Sequence, residues 1–257
     1  YTGYILGEIG RTGLEAFVQP GSHEPFAVFN PVMRSLSSTY PNLIDATRVR
    51  KVEQEGHTLV FLPGSDFTCG GEYSLGSGEL PTGVYAQLER GLVPCRNWMD
   101  YVAAFTGHGA QGMLSYTNMN DLRTLVTAPE KTVVVCHVPR KFSKLETGID
   151  VAHFFEQRVY HKNTADMTQW TYTPMGVIPA TQSPQEVARR HGAPAFGLGT
   201  SDDQVMCETL AHIARENVNR WAVFVEKKEN RGNADLGALY DELGVTKAVS
   251  GHFHESS

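Results

Sequence analysis

The sequence predicts an α/β fold, because short apolar runs alternate with segments of helical periodicity along its 257 residues. No internal repeat and no low-complexity segment interrupts this alternation. Hydrophobic residues make up 41% and charged residues 19% of the chain, which is the composition of a globular protein. A chain of this length can bury a full core. We therefore expect a single domain over residues 1–257, with a helical insertion at about 150–230.

The first 116 residues predict strands that lead into glycine-containing loops. A strand is expected in TGYILGE, and a second one in EAFVQPGSHE runs into such a loop, with a helix following in PFAVFNPVMRSL. The segment RVRKVEQEGHTLVFLPGSD predicts a β-hairpin around Glu55-Gly56, whose second strand leads into another PGS loop. Residues 68–116 are rich in glycine and polar residues, so long loops with short elements are expected there.

The middle of the chain predicts a short helix and a buried strand. The helix lies in NDLRTLVTAPE and is stopped before Pro129, and the strand lies in KTVVVCHVPR and ends at His137. A capping box at Ser183 with Glu186 opens the next helix, and Gly192 closes it.

The last sixty residues predict two helices and two strands. Ser201 with Gln204 opens one helix, and WAVFVEKK is expected to be a strand. The segment ADLGALYDELG predicts a helix that ends at Gly244. A strand in VTKAVS then leads through Gly251 to two histidines.

Charge and cysteine usage limit the classes of partner. The formal net charge is −6, and because phosphate contacts need lysine and arginine, duplex nucleic acid is not the expected substrate. No apolar run is long enough to span a bilayer, and the first residues lack the pattern of a signal peptide, so no membrane partner is expected. The four cysteines have no CxxC spacing, which favours a reducing cytoplasm: Cys69, Cys95, Cys136 and Cys207.

Potential metal ligands follow four of the predicted strands. In open α/β sheets, ligands bind beyond the carboxyl ends of strands. Imidazoles and carboxylates together suit Zn, Mn or Fe rather than Ca. Taken singly, each position has an ordinary structural interpretation, so it is their joint occurrence that favours a site. The positions are Glu8 after YILG, His23 and Glu24 after FVQPGS, His137 after VVVC, and His252 and His254 after AVSG.

These motifs, in this order, resemble the calcineurin-like metallophosphoesterases. That family carries an Asp-x-His block, a Gly-Asp block, a Gly-Asn-His-Asp/Glu block, a lone histidine after a hydrophobic strand, and Gly-His-x-His. Here GEIG resembles the second block, PGSHE the third, VVVCHVP the fourth and SGHFHES the last. The resemblance covers nearly the whole chain, and its last two motifs are the most specific. It implies a metallophosphoesterase-like β-sandwich of two mixed sheets flanked by helices.

The resemblance also implies roles for the matching residues. Glu8 stands where the family has a metal-bridging carboxylate, and Ser22 stands where it has a metal-binding Asn beside the substrate. His137 and His252 are implied ligands of one metal ion, and His254 of the other. His23 is implied to lie beside the scissile phosphate and to assist departure of the leaving group. The implied cofactors are two divalent transition-metal ions, of Mn, Fe, Zn or Ni.

Two functions follow from this pattern. The first is metal-dependent hydrolysis of a phosphomonoester or phosphodiester, with a small phosphoester or a nucleotide as substrate, through a dinuclear site. The second is a degenerate, non-catalytic binding or assembly module of the same fold, because Glu8 and Ser22 depart from the family residues and no Asp-x-His block is present. We expect that block either upstream of Tyr1 or lost, and the insertion to shape the pocket or a homo-oligomer interface.

Overall fold

The computed structural model describes residues 1–66, 72–143, 151–163, 165–180, 182–216 and 222–252. Within these residues the chain forms seven α-helices and fifteen strands in several mixed sheets, so the predicted α/β class is confirmed. Contacts divide the chain into two compact units where a single domain is expected from the sequence. The first unit comprises Tyr1–Lys141 and Gly232–His252, and the described part of the second lies in Phe142–Arg231.

Helix α1 (Thr2–Arg11) occupies the segment for which the sequence predicts a strand, so that prediction is wrong. A short apolar run that contains glycines does not distinguish a helix from a strand by periodicity. Packing decides here, because Leu6 is buried in one core with residues of helix α2 (Phe26–Thr39). Gly10 lies on the same side, where a Cβ atom would stand 2.5 Å from the ring of Tyr40. The predicted helix in PFAVFNPVMRSL is confirmed as α2.

A four-stranded mixed sheet combines strands from the N-terminal and the C-terminal segments of the first unit. Its order is β15-β10-β4-β3, with β10 parallel to both neighbours and β3 antiparallel to β4. The predicted hairpin is confirmed, because Glu55 and Gly56 turn between β3 and β4 with φ of 50° and 78°. A separate parallel pair joins β1 to β2. The strands are β1 (Ala16–Val18), β2 (Leu43–Asp45), β3 (Lys51–Gln54), β4 (His57–Leu62), β10 (Thr132–Cys136) and β15 (Lys247–Val249).

A five-stranded sheet and a helix lie within residues 65–66 and 72–118, whereas the sequence predicts long loops with short elements over residues 68–116; the long loops are wrong for the described residues. Helix α3 (Trp98–His108) begins after Asn97, which accepts a hydrogen bond from the Asp100 amide, and ends at Gly109 with φ of 64°. Three of the glycines in this region begin strands: Gly83, Gly91 and Gly112. The sheet has the order β5-β6-β9-β7-β8, from β5 (Ser65–Asp66), β6 (Tyr73–Gly76), β7 (Gly83–Leu88), β8 (Gly91–Pro94) and β9 (Gly112–Asn118).

The main core of the first unit lies between the four-stranded sheet and helix α7 (Ala234–Leu243), with helix α4 (Leu122–Leu125) beside it. Tyr240 of α7 is fully buried against these strands, and Leu75 of β6 belongs to the same core. Helices α4 and α7 and strand β10 confirm the predictions for these segments, including the end of α7 at Gly244.

The second unit contains a four-stranded sheet as well as two helices, where a helical insertion is expected from the sequence. The predicted caps are confirmed, because Ser183 accepts a hydrogen bond from the Glu186 amide and Ser201 from the Gln204 amide. The sheet has the order β12-β11-β14-β13. Its elements are β11 (Val151–Lys162), β12 (Trp170–Pro179), α5 (Pro184–His191), β13 (Ala195–Phe196), α6 (Asp202–Glu216) and β14 (Ala222–Asn230).

Arg158 links the sheet of the second unit to the start of α6. Its side chain is only 3% exposed and donates to Glu156 at 2.6 Å and to Asp202 at 2.9 Å. These hydrogen bonds outweigh desolvation and raise the pKa of Arg158 above its ordinary value. Lys227 also contacts Glu156, at 3.2 Å. Glu156 is therefore shared between two cations, Arg158 and Lys227.

Across the part of the chain that the structure describes, no helix is both long and apolar enough to cross a membrane.

Candidate metal centre

The ends of three parallel strands meet at one edge of the four-stranded sheet. Strand β10 is paired in parallel with β4 on one side and β15 on the other, so the loops that follow all three strands emerge together. The Gly251 amide donates to the His137 carbonyl at 3.1 Å, which joins the loop after β15 to the loop after β10. The sequence at these two loops supplies a histidine each, His137 and His252.

The loop after β1 joins the same edge. Its Pro20 carbonyl accepts a hydrogen bond from the Gly64 amide, in the loop after β4, at 2.9 Å. The side chain of Gln19 donates from Nε2 to the Val135 carbonyl of β10 at 3.3 Å. The Oε1 atom of Gln19 is buried and has no hydrogen-bond partner within the described residues. Two backbone segments far apart in the sequence are thus fixed against the end of β10.

His137 and His252 are in direct contact. The Nε2 atom of His137 lies 2.9 Å from the Nδ1 atom of His252. Their ring centroids are 4.7 Å apart, with an interplanar angle of 69°. The two ring nitrogens are therefore within hydrogen-bonding distance, and the tautomers decide which of them donates.

Ser22 brings a third polar atom to the two histidines. Its Oγ atom lies 3.2 Å from the same Nε2 atom of His137. The residue is 5% exposed, so the hydroxyl is held in a buried position by its loop. The structure thus brings together three of the residues named from the sequence: Ser22, His137 and His252.

Gly21 holds the ring of His137 in place, a role that the sequence patterns do not reveal. A Cβ atom at this position would lie 2.8 Å from three atoms of the His137 ring, closer than side-chain carbons normally approach. The Gly21 amide also donates to Glu24 Oε2 at 2.6 Å, which closes the loop. Only glycine allows the loop to approach the imidazole this closely. The PGSHE segment carries this glycine, but its purpose depends on a ring 116 positions away from Gly21.

The backbone at His252 is in an uncommon conformation. Its φ is 86°, in the left-handed region that favours glycine. Such a conformation costs free energy of order 1–3 kcal/mol and persists where the surrounding structure requires it. At His252 it accompanies the turn that directs the ring toward His137.

Cys136, next to His137, is not suited to bind a metal ion near neutral pH. The thiol is 3% exposed and donates to the Val138 carbonyl at 2.9 Å. Burial raises the pKa of Cys136 to about 11, and the side chain packs in the hydrophobic core with Tyr240. The polar atoms available at this edge are therefore imidazole nitrogens and oxygens.

The other residues named from the sequence lie elsewhere or are not described. Glu8 is on an exposed part of α1 and forms an ion pair with Arg11, so the expectation that it follows a strand is wrong. His23 is exposed and follows Ser22 directly in the loop. His254 lies outside the described residues.

The donor set suits a transition-metal ion in part. Two nitrogens bound to one ion at 2.0–2.1 Å in adjacent positions lie about 3 Å apart, close to the separation of His137 Nε2 and His252 Nδ1. The described residues contain no group of three or more His, Cys, Asp or Glu side chains arranged to hold a metal ion. Two imidazoles and a serine hydroxyl are the ligands that this edge offers.

Comparison of the chain with protein-family models, with curated protein sequences and with solved structures found no match.

Proposed function

We propose that this chain is a metal-dependent phosphoesterase of the calcineurin-like type. The observation that carries the proposal is the meeting of Ser22 Oγ, His137 Nε2 and His252 Nδ1 at the end of parallel strands. These residues come from three motifs that are far apart in the sequence and were matched to the family in the same order. Their contact is what the resemblance leads us to expect, and it supports the proposal.

The proposed fold is the β-sandwich of that family, formed by the four-stranded and five-stranded mixed sheets of the first unit. Residues of both sheets share one core, in which Leu75 of β6 packs with Val60 of β4 and Val134 of β10. Helix α7 covers this core through Leu236 and Leu239. This arrangement supports a two-sheet architecture flanked by helices.

His137 and His252 would hold one divalent transition-metal ion, and Ser22 would supply an oxygen beside it. Imidazole nitrogens suit Mn, Fe, Zn and Ni, and the separation of the two nitrogens fits shared coordination. His254 is the proposed ligand of a second ion. Glu8 is not included, because it pairs with Arg11 on α1.

The metal would supply Lewis-acid polarisation of the phosphate and a water of lowered pKa. Two side chains of the protein, Ser22 and His23, would act on the substrate directly. Ser22 would donate its hydroxyl proton in a hydrogen bond to a phosphate oxygen and so orient the ester. His23, exposed beside Ser22, would donate a ring proton to the leaving-group oxygen, which then departs as an alcohol. Small phosphoesters or nucleotides are the proposed substrates, and a cytoplasmic location is proposed from the cysteine usage.

A second candidate function is a non-catalytic module that keeps this fold. It is favoured by the serine at position 22, because a neutral hydroxyl is a weaker ligand than the amide carbonyl of the family's Asn. It is also favoured by the placement of Glu8 in an exposed ion pair. Under this alternative the histidine pair would remain as a structural contact between the loops after β10 and β15.

Hydrolysis of p-nitrophenyl phosphate and bis-p-nitrophenyl phosphate in the presence of Mn²⁺ separates the two functions. If the chain is a phosphoesterase, Mn²⁺ should stimulate the release of nitrophenol. This release should fall at least about 100-fold in His137→Ala and in His252→Ala. His57→Ala is the matched control, because His57 is an exposed histidine at the start of β4. Equal turnover in the wild type and both site variants would rule out this mechanism. A wild-type protein that neither binds Mn²⁺ nor releases nitrophenol would favour the non-catalytic module.

A further inference from the structure

The first unit contains a cavity that is separate from the histidine pair. It has a volume of about 680 Å³ and is lined by α2, by residues 41–50 and by parts of β7 and β9. This volume lies within the range of small-molecule sites in proteins. Neither His137, His252 nor Ser22 lines it. The cavity therefore has to be explained by its own residues.

The charged groups that line this cavity are mainly cationic. Three arginines, Arg34, Arg48 and Arg50, line it together with one acidic residue, Asp45. The Asp45 carboxylate is already engaged, because its Oδ1 accepts hydrogen bonds from the backbone amide and the hydroxyl of Thr47 at 2.9 and 2.6 Å. Its Oδ2 lies 3.8 Å from Arg48 Nε, which is an ion pair but not a hydrogen bond. The cavity thus keeps a cationic surplus.

Arg50 is the buried member of this group and is incompletely paired. Its side chain is 15% exposed, and its Nε atom donates to the Phe61 carbonyl at 2.9 Å. Nη1 lies 3.6 Å from Asp121 Oδ2, beyond a good hydrogen bond. Nη2 is buried and has no partner in the described part of the chain. Burial without full compensation lowers the pKa of Arg50 from its ordinary value.

An unpaired buried guanidinium donor is costly in an isolated protein. Leaving such a donor unsatisfied costs free energy, and the cost is larger for a charged group than for a neutral one. A planar guanidinium matches a carboxylate or a phosphate, which can accept two parallel hydrogen bonds from it. Apolar and aromatic residues, including Met33, Val84 and Tyr73, supply the remaining lining.

We propose that this cavity binds an anionic small molecule, with Arg50 as the buried recognition group for a carboxylate or phosphate. Arg34 and Arg48 are exposed and add positive charge where the ligand enters; the side chain of Arg48 is 71% exposed. The apolar lining contacts the body of the ligand. This site is distinct from the proposed metal centre and holds its ligand without a metal ion.

Isothermal titration of EDTA-treated protein with inorganic phosphate, and separately with citrate, tests this proposal. We expect one anion per chain to bind to the wild type, and Arg50→Gln to weaken that binding by about tenfold or more, because it removes a charged hydrogen-bond donor. The tighter of the two anions identifies the chemical class, phosphate or carboxylate. Arg90→Gln is the matched control, because Arg90 is exposed in the turn after β7 and does not line the cavity.

Two further variants keep the result interpretable. Arg34→Gln/Arg48→Gln alters only exposed side chains, so it is expected to fold and to weaken the same anion even if Arg50→Gln does not fold. His137→Ala is expected to bind the anion like the wild type, which separates this site from the metal centre. Absence of binding of either anion to the wild type, or wild-type affinity in the Arg34→Gln/Arg48→Gln variant, would overturn the proposal.

Discussion

The Nδ1 atom of His252 lies 2.9 Å from the Nε2 atom of His137, although the two residues are 115 positions apart in the sequence. Parallel pairing of β10 with β15 brings their ends together, and the left-handed backbone at His252 directs its ring toward the partner. Ser22 approaches the same nitrogen from a third loop. The proposed metal centre depends on this contact.

Replacing Gly21 with alanine is expected to damage the metal centre without removing a ligand. The new Cβ atom would lie 2.8 Å from the His137 ring, so either the ring or the loop must move. We expect metal affinity and metal-stimulated turnover to fall at least about tenfold, since misplaced ligands lose affinity even when they remain present. Equilibrium dialysis against Mn²⁺ measures the first, and nitrophenol release the second.

Gly112→Ala is the control for that variant. Gly112 begins β9 with no atom within 4 Å of the added Cβ, so metal affinity should be unchanged. If Gly21→Ala binds metal as tightly as Gly112→Ala does, the close approach of the loop has no bearing on the site.

Replacing His23 with alanine is expected to separate catalysis from metal binding. His23 is exposed and follows Ser22, whereas the two nitrogens proposed to hold the ion belong to His137 and His252. We expect metal content like that of the wild type, with turnover reduced about 100-fold or more by loss of a general acid. A substrate with a good leaving group should be less affected. Loss of metal together with activity would contradict the assigned role of His23.

Most of the candidate site could be predicted from the sequence because strand ends are visible in it. The apolar run before His137 and the strand before Gly251 are both clear, so two histidines at one sheet edge follow from parallel pairing. Gly21 and Gln19 could not be found in this way, because their importance comes from contacts with a distant strand end. Such contacts leave no local periodicity in the sequence.

The wrong predictions have the same physical origin. The TGYILGE segment is apolar, short and contains glycine, so its pattern fits a strand, yet Leu6 is buried against α2 and makes the segment a helix. The five-stranded sheet is hard to predict because its strands are short and three of them begin with glycine, as at Gly83 and Gly112. Tertiary packing overrides weak local preference in both cases.

The Cys136 thiol is expected to lower the free energy of unfolding at alkaline pH. Burial raises its pKa from the ordinary value of 9.0 to about 11. Below pH 9 the thiol is neutral in the folded and unfolded states, so its effect on stability is constant. Between pH 9 and about 11 the unfolded chain loses this proton while the folded chain keeps it. The free energy of unfolding should then fall by up to about 1.4 kcal/mol per pH unit from this group.

Urea unfolding of the wild type and of Cys136→Ala at a series of pH values measures this contribution. Tyrosines also titrate in this range, so the informative quantity is the difference between the two proteins. The Cys136→Ala protein should show a shallower loss of stability above pH 9. Parallel curves for the two proteins would show that the thiol ionises equally in both states.

Arg158 is expected to make a large polar contribution to the stability of the second unit. Its side chain is 3% exposed, and Arg158→Met would leave Glu156 with Lys227 as its cation. We expect a loss of about 3 kcal/mol, as is typical when one partner of a buried pair is removed. Asp202→Asn should cost less than about 1 kcal/mol, because the Asp202 side chain is 75% exposed. Thermal unfolding followed by circular dichroism compares the two, and equal losses would contradict the assigned importance of burial.

The most direct test of the central claim is a titration of metal-free protein with Co²⁺, followed by visible absorption. The wild type should bind the ion, and His137→Ala and His252→Ala should each weaken binding by about 100-fold or more. His57→Ala, an exposed control, should bind like the wild type. If the wild type binds no Co²⁺, or if both site variants bind it as tightly as the wild type, the contact between His137 and His252 is not a metal centre.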